Sequence, residues 1–348
     1  MSRLVFERIL SDILINVMNG MDENEHMDLT GIGSTCFGHE VSGQCVSSLR
    51  CSVRPFRWGM GPVVRRAAIL SDFSTLPEWH GRGLMAGLIN QAHQKLYEAN
   101  VLFSAVVPDA PSLFEYYRRL GYGTCVYRRI FPLVWPRLDG GGGRVHEIDR
   151  STDALYRCFY RQWEHTVRCG WLPTPADFDT ALSAWRLSGG RVYAVYTHLG
   201  LSAVVFVRIR GQEALFYEMA GIRERALRIL ATAMREEWAG VTTWQHLLGG
   251  ASSDAQPYAQ VRVIRVAEAL RRFAALHPEV SASFDLVDDC LPANNGYYEL
   301  RGGKCFRQLS SSVPVRITPA RLAAFLLRRE RPRLGFAGGA DENKYSCL

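Results

Sequence analysis

The segment 77–85, which reads Pro-Glu-Trp-His-Gly-Arg-Gly-Leu-Met, has the residue types and spacing best suited to chemistry. It follows a short apolar run, 67–74, that is typical of a strand. The residues after it are apolar at every fourth position, which predicts one face of a helix: Leu84, Leu88, Ala92 and Leu96. The first amides of a helix have no internal partner, the helix dipole adds positive charge there, and glycines let an anion reach the backbone. The pattern therefore predicts a phosphate-bearing ligand at residues 81–86.

The spacing of the two glycines excludes the commonest nucleotide-binding loops. A Walker loop has Lys and then Ser or Thr after its second glycine, whereas Gly83 is followed by Leu84 and Met85. A dinucleotide fingerprint has three glycines and an acidic residue about 20 positions later. The segment instead resembles the Arg/Gln-x-x-Gly-x-Gly/Ala loop of the GNAT N-acetyltransferases, with His80 in place of Arg or Gln and Met85 in place of Gly or Ala. The resemblance implies that the ligand is acetyl-CoA, held by its pyrophosphate.

A second motif lies in register with the first. Residues 103–108 form a run typical of a buried strand, and residues 112–122 predict a short helix that ends at Gly121. Both resemble the strand and the Phe-Tyr-x-x-x-Gly-Tyr helix that follow the loop in this family. A glycine loop by itself is more often a plain strand-to-helix turn, and the second motif is what favours the acetyltransferase interpretation.

The resemblance implies that Tyr117 is the general acid that protonates the departing thiolate of the coenzyme. A phenol with a pKa of about 10 can protonate a thiolate of similar basicity once water is excluded. Tyr116 is the neighbouring alternative and Tyr122 is the third. Because adjacent helical residues point about 100° apart, only one of Tyr116 and Tyr117 can face the coenzyme, and the family match favours Tyr117.

The coenzyme contacts that the resemblance implies are mainly backbone contacts. The strand before the loop is expected to pair with the pantetheine amides as an added strand does, through Phe73, Ser74 and Thr75. The loop and the start of the helix are expected to hold the pyrophosphate, through His80, Gly81, Arg82, Gly83, Leu84, Met85 and Ala86. Ser112 is expected to cap its helix and to contact the coenzyme. Acetyl-CoA is a co-substrate in this scheme, and no metal is expected.

The length of 348 residues predicts about two to three domains. The clearest linker is the glycine run within 139–143, which closes a first domain at 1–138. A second domain, 144–250, repeats the order helix, strands, helix without a glycine loop, and we interpret it as a degenerate acetyltransferase-like copy. Residues 255–330 form the third part, and 331–348 form a polar, Gly-rich tail.

The pattern after the linker predicts a helix at 153–166, strands at 191–196, 203–207 and 214–218, and a helix at about 223–238. The third part predicts a strand at 261–266, a helix to about 277, strands at 283–289 and 294–300, and a helix capped by Thr318 with Pro319 first. This organisation resembles the multidomain "enhanced intracellular survival" acetyltransferases. The implied fold class is α+β: a GNAT acetyltransferase domain, a degenerate GNAT-like domain and a C-terminal sterol-carrier-like α/β domain.

The composition is that of a globular protein with a sizeable core, at 47% hydrophobic and 22% charged residues. Neither a run of about 18 apolar residues nor a signal peptide is found, so we expect no membrane span and a location in a bacterial cytoplasm. The nine cysteines form no Cys-x-x-Cys pair, which argues against a zinc site and a disulfide framework. The net charge of +7 is spread over all segments without a nucleic-acid-binding module, so no nucleic-acid partner is expected.

The sequence says least about the acceptor substrate and the pocket that would bind it. The acceptor is expected to be an amine of a small molecule or a peptide, and a homo-oligomer stays open. Only residues 39–42 stand where the family has a helix and a strand that wall the acceptor pocket. The nearest ionisable residues are more typical of a surface than of a catalytic base: His39, Glu78 and His80. The terminal carboxylate, a base in the best-known branch of the family, belongs here to Leu348 in a tail that we expect to be disordered.

An alternative function is a non-catalytic protein, or one that binds a lipid or another apolar ligand, on a degenerate acetyltransferase scaffold. His80, Met85 and the short acceptor wall motivate the non-catalytic form. The sterol-carrier-like part motivates the binding form.

Overall fold

The computed structural model describes residues 33–59, 64–136, 142–166, 169–187, 189–221, 223–249, 255–308 and 315–327. They form two compact units. The first comprises the described parts of Met1–Cys125 and Ala259–Glu330, and the second comprises those of Val126–Tyr258.

In chain order the strands are β1 (Gly33–Val41), β2 (Gln44–Trp58), β3 (Val64–Thr75), β4 (Phe103–Val106), β5 (Gly123–Pro132), β6 (Arg144–Glu147), β7 (Cys169–Trp171), β8 (Arg191–Thr197), β9 (Gly200–Arg210), β10 (Glu213–Gly221), β11 (Thr243–Gly249), β12 (Gln256–Val263), β13 (Ala282–Leu286), β14 (Gly296–Arg301), β15 (Lys304–Gln308) and β16 (Arg316–Ile317). The helices are α1 (Leu84–Glu98), α2 (Pro111–Arg119), α3 (Asp153–Thr166), α4 (Pro175–Leu187), α5 (Arg223–Ala233), α6 (Val266–Leu276) and α7 (Pro319–Leu327).

The main sheet of the first unit has the order β1-β2-β3-β4-β12. Its neighbours are antiparallel except for β3 and β4, which are parallel and are joined through α1. β1 and β2 form a hairpin whose two turn residues, Ser42 and Gly43, both have positive φ, at 53° and 76°. Such a turn matches the twist of the two strands. The short segment 39–42 is therefore the end of a hairpin.

Helix α1 packs on this sheet with the face that the sequence predicts. Leu88, Ala92 and Leu96 are buried, and Ile89 joins them in the core. Each large aliphatic side chain buried in this way contributes about 1.5–3 kcal/mol. Leu84 is partly buried in a separate small cluster beneath the loop. The amphipathic prediction for this helix is confirmed.

Strand β12, in the C-terminal part of the first unit, belongs to the main sheet. This strand runs antiparallel to β4, with Gln260 opposite Val106 and Val263 opposite Phe103. The sequence predicts a strand here as the start of a third part, whereas the structure uses it in the main sheet of the first unit. The remaining strands form a small sheet in the order β15-β14-β13-β16. The sterol-carrier-like character of this part, and the division into three domains, stay predictions.

The final helix begins as predicted. Pro319 is its first residue, and the amide of Arg321 donates to Thr318 Oγ1 at 3.4 Å. A threonine cap satisfies an amide that the helix itself leaves unpaired.

The second unit has strands in the order β5-β11-β10-β9-β8-β6. β10 and β11 are parallel, and α5 connects them. One core lies under α3 and α4 and includes Phe159, Phe178 and Phe206, while the other lies under α5. The strands at 191–196, 203–207 and 214–218 and the helix at 153–166 are confirmed. Helix α4 and strand β11 were not predicted, although the buried residues of α4 follow the helical period, at Phe178, Leu182 and Trp185.

Two predictions lie mostly or wholly outside the described residues. The first is the glycine linker, of which only 142–143 is described. The second is the tail 331–348 with the carboxylate of Leu348.

Candidate active site

The two parallel strands of the first unit separate before they end. Their pairing runs from Ala67–Phe103 to Ile69–Ala105, the last partners among the described residues. β3 continues to Thr75 and stays paired on its other edge, to β2. The edge of β3 that faces away from β2 is therefore free of strand partners over 70–75, and an extended ligand can pair with it as an added strand does.

A β-bulge in β3 lies in this free segment. Ser71 pairs with Arg50 and Ser74 pairs with Ser48, so that both Asp72 and Phe73 lie opposite one residue of β2. Asp72 has a φ of 53°, which is uncommon outside glycine, and its carboxylate contacts Arg50 Nε at 3.1 Å. A bulge re-aims the groups that follow it and occurs often beside active sites. The sequence carries no sign of this bulge, because it depends on the register of two strands.

The glycine loop connects the end of β3 to α1. A 3₁₀ turn at Pro77–Trp79 is followed by Gly81 and Gly83, with φ of 75° and 77°. A Cβ added to either glycine would meet no atom within 4 Å. The helical hydrogen-bond ladder starts with the amide of Gly87 donating to the carbonyl of Gly83 at 3.0 Å. The amides of residues 84–86 precede that ladder, and the helix dipole makes the space beside them favourable for an anion.

Two side chains of the loop hold its shape. His80 Nε2 lies 2.8 Å from the carbonyl of Thr75 and donates to it, which ties the loop to the end of β3. Arg82 donates to the carbonyl of Glu78 at 3.2 Å and stacks on Trp79, with the guanidinium carbon 4.5 Å from the ring centroid. His80 therefore acts inside the loop in this structure. Phosphate contacts by His80 and Arg82 stay predictions.

The predicted acid, Tyr117, lies next to the bulge. Its ring centroid is 5.6 Å from that of Phe73, and its side chain is 4% exposed. No described residue forms a hydrogen bond with its hydroxyl. Burial raises the pKa of this hydroxyl far above its usual value. The group is therefore protonated across the neutral and mildly alkaline range, as a general acid must be.

The two alternatives differ from Tyr117 in their surroundings. Tyr116 is only partly buried at the edge of the same core. The hydroxyl of Tyr122 is fully buried and lies 2.8 Å from both His93 Nε2 and Ser104 Oγ. Because both partners belong to the protein core, Tyr122 has a structural hydrogen-bonding role.

Strand β12 supports the tyrosine helix from below. Gln260 Nε2 donates to the carbonyl of Phe114 at 3.1 Å, and Arg262 donates to the carbonyl of Leu120 at 2.7 Å. Arg262 also forms a buried ion pair with Asp288, whose oxygen lies 2.5 Å from the guanidinium. Sequence reasoning missed these residues. The available signal was a Gln and an Arg at alternate positions of an otherwise apolar strand, which places both on one face.

The other residues considered from the sequence are Ser112, Ser74, His39 and Glu78. Ser112 does not cap α2, because the cap position is Ala110 and the helix already begins at Pro111. Proline is favoured at the first helical position, so the predicted cap is wrong, while a coenzyme contact of Ser112 stays a prediction. Ser74 has a buried hydroxyl that no described residue contacts by a hydrogen bond. His39 and Glu78 are exposed, as a surface role requires.

Two further findings concern the described residues as a whole. No three His, Cys, Asp or Glu side chains among them are grouped as a metal site would need. None of the helices described is long and apolar enough to cross a lipid bilayer.

Comparison with known proteins agrees with this geometry. Residues 9–125 match the model of the acetyltransferase (GNAT) domain. No curated protein matches the sequence. Residues 9–125 therefore match a GNAT acetyltransferase domain, this match supports an acyltransferase, and the fold is mixed α/β.

Three solved structures share the fold over most of their length. A probable N-acyltransferase of unknown function from Enterococcus faecalis has a TM-score of 0.65 at 17% identity, over 91% of this chain and 86% of that one. Eis1 from Mycobacterium abscessus has a TM-score of 0.63 at 16% identity, over 94% and 88%. A GCN5-related N-acetyltransferase from Anabaena variabilis has a TM-score of 0.59 at 14% identity, over 93% and 87%. At these identities the likeness is one of fold.

Proposed function

We propose that this protein transfers an acetyl group from acetyl-CoA to an amine of a small molecule or a peptide, by direct attack in a ternary complex, with Tyr117 as the general acid. The observation that carries the proposal is the free edge of β3 over 70–75, which leads directly into a loop with unpaired helix amides. The free strand edge would match the extended pantetheine arm of the coenzyme with its two amides. The helix amides that follow along the chain would match its pyrophosphate.

The residues present fit this co-substrate. The amides of Leu84, Met85 and Ala86 would hold the pyrophosphate, and the open space beside Gly81 and Gly83 leaves room for it. The backbone of 73–75 would pair with the pantetheine amides. The unpartnered hydroxyl of Ser74 is a further donor beside that path.

Tyr117 would supply the proton that the reaction needs. When bound, acetyl-CoA supplies the thioester that the amine attacks. The carbon–sulfur bond then breaks, and the sulfur leaves with its electron pair. The Tyr117 hydroxyl donates a proton to that sulfur, and the proton that the attacking amine loses restores the phenol through solvent. The packing of Phe73, Tyr116 and Tyr122 around Tyr117 keeps water away from the transfer.

Calorimetric titration of the full chain with acetyl-CoA tests the proposal. We expect saturable binding, and we expect pantetheine, which lacks the pyrophosphate, to bind at least about tenfold more weakly because it cannot use the helix amides. Absence of binding at millimolar acetyl-CoA would support the non-catalytic alternative and defeat the proposal. Once binding is found, the acceptor would be sought by screening primary amines for release of free coenzyme. The cytoplasmic location and the absence of a nucleic-acid partner stay predictions.

A further inference from the structure

The second unit contains a cavity of about 550 Å³ that none of the predicted coenzyme residues line. Its walls come from three elements: one face of α3, the turn between β8 and β9, and the third residue of α5. A volume of this size is typical of sites for small molecules and cofactors.

The walls are fixed by contacts on the side away from the cavity. Leu155 and Phe159 place one face of α3 in the core, and the amide of Leu155 donates to Thr152 Oγ1 at 3.3 Å. In the turn, Thr197 Oγ1 accepts from the amide of Leu199 at 3.2 Å and donates to the carbonyl of Gly200 at 3.4 Å. The cavity is therefore formed by preorganised elements, which lowers the entropy cost of binding.

Three arginines line the cavity: Arg157, Arg161 and Arg225. Among the described lining residues there is no Asp or Glu. Arg157 Nε donates to the carbonyl of Asp153 at 3.2 Å, which is a neutral partner. The nearest acid on α5, Glu224, is engaged by Arg228. Arg157 and Arg161 are exposed and Arg225 is half-buried, so an anion in the cavity would meet three positive charges.

The rest of the lining is small and largely apolar. Ala154 and Cys158 lie on the helix side, and Leu199 and Leu201 on the turn side. Such a surface suits the organic part of a ligand while the arginines hold its charged part. Arginine is the preferred side chain for phosphate because its planar fork donates two parallel hydrogen bonds.

We propose that this cavity binds a small molecule that carries a pyrophosphate-like polyanion, through Arg157, Arg161 and Arg225. Three guanidinium charges match the charge of a pyrophosphate group, whereas a single carboxylate would leave two of them unpaired. The inference does not depend on acetyl transfer at the loop of the first unit.

The experiment is a calorimetric titration of the full chain and of its arginine variants with inorganic pyrophosphate at 150 mM salt. Acetyl-CoA is left out because it carries a pyrophosphate itself and would compete for the cavity, and the arginine variants separate binding at the cavity from binding at the loop of the first unit. We expect Arg161→Gln and Arg225→Gln each to weaken pyrophosphate binding about tenfold or more, as the loss of a charge-assisted bidentate contact does. Arg235→Gln is the matched control, because it removes the same charge from an exposed position of the same unit outside the cavity, and its affinity should equal that of the wild type.

Three results would overturn the inference. One is the absence of any pyrophosphate binding that Arg161→Gln and Arg225→Gln weaken. Another is equal weakening by Arg235→Gln, since that would indicate a general charge effect. The third is tight binding of citrate with no binding of pyrophosphate, which would reassign the ligand to carboxylates. If the protein does not bind acetyl-CoA at all, the proposed function fails, and the arginine variants still decide this inference.

Discussion

The two units contain the same strand–helix–strand arrangement, β3–α1–β4 in the first and β10–α5–β11 in the second, with parallel strands in both. In both, the parallel pairing stops partway, after Ile69 in β3 and after Phe216 in β10, while the first strand stays paired to its antiparallel neighbour. A bulge follows in each, at Asp72–Phe73 and at Tyr217. The difference lies in the connection to the helix.

In the first unit a turn and two glycines with positive φ separate the end of β3 from α1. In the second unit β10 ends at Gly221 and α5 begins at Arg223. The bulged Tyr217 packs on Trp185 with ring centroids 4.3 Å apart, whereas Phe73 packs on Tyr117, whose hydroxyl is unpartnered. The parallel pair and the bulge are therefore common to both units, and the proposed anion site depends on the glycine loop of the first unit.

The largest expected effect separates Tyr117, which packs on the bulged Phe73, from Tyr217, which is itself the bulged residue of the second unit. Tyr117→Phe should lower kcat by about 10²–10⁴-fold, since it removes the proposed proton donor while keeping the ring. Tyr217→Phe is the matched change in the second unit and should leave kcat unchanged. Steady-state rates with an amine acceptor measure both. An unchanged rate for Tyr117→Phe would remove this residue from the mechanism and make the two units equivalent in this respect.

The same pair gives a pH test. Because burial raises the pKa of Tyr117 above its usual value, the hydroxyl stays protonated up to at least pH 9.5. The ratio of the wild-type rate to the Tyr117→Phe rate should therefore be constant between pH 7 and 9.5. With the ordinary pKa of about 10, the hydroxyl would be partly deprotonated near pH 9.5, and the ratio of the two rates would fall there.

The second expected effect concerns the buried pair that supports the tyrosine helix. Arg262→Ala leaves Asp288 buried without its partner and should cost about 3–5 kcal/mol of stability in the first unit. Arg119→Ala, which removes an exposed partner of Glu115 on the same helix, is the control and should leave the transition in place. Chemical denaturation with tryptophan fluorescence follows both. Equal midpoints for the two variants would show that the pair contributes little.

The third effect tests the loop itself. Gly83→Ala should raise the KM for acetyl-CoA about tenfold, because the φ of 77° disfavours a side chain and the new Cβ enters the space beside the helix amides. Gly87→Ala is the control: it lies within α1, has no positive φ, and a Cβ there meets no atom within 4 Å. We expect no change in its KM. A similar KM for both variants would argue against phosphate binding at the loop.

The smallest effect concerns acid stability and compares helices α1 and α5. Burial lowers the pKa of His93 well below its usual value, while the buried residues of α5 include no titratable group. The folded state keeps His93 neutral, and the unfolded state takes up a proton below pH about 6.5. Stability is therefore complete above that pH and falls by up to about 1.4 kcal/mol per unit below it.

Hydrogen exchange of α1 and α5 at pH 7 and 5.5 measures this difference. The opening free energy of α1, taken from exchange rates corrected for the intrinsic pH dependence of amide exchange, should fall at the lower pH, and His93→Gln, which retains a donor toward Tyr122, should reduce that fall. If α1 and α5 respond alike to acid in the wild type, His93 is not the cause.

Part of the site could be predicted because its signals are local. Helix α1 follows from apolar residues at helical spacing, and the loop follows from two glycines whose positive φ few other residues adopt. The order of the two motifs then placed Tyr117 near the loop. What could not be predicted depends on partners distant in sequence: the bulge at Asp72, the bond from His80 to Thr75, and the support from Gln260 and Arg262.

The sequence by itself determined that the chain has a glycine loop before an amphipathic helix and a tyrosine helix downstream, because backbone preference and hydrophobic period act over a few residues. Only the tertiary structure decided that β3 separates from β4 beyond Ile69, and that β12, far along the chain, completes the same sheet. It also decided that Tyr117 and not Tyr122 keeps an unpartnered hydroxyl. Strand register, burial and hydrogen-bond partners arise from long-range pairing, and a linear pattern does not encode which distant residues meet.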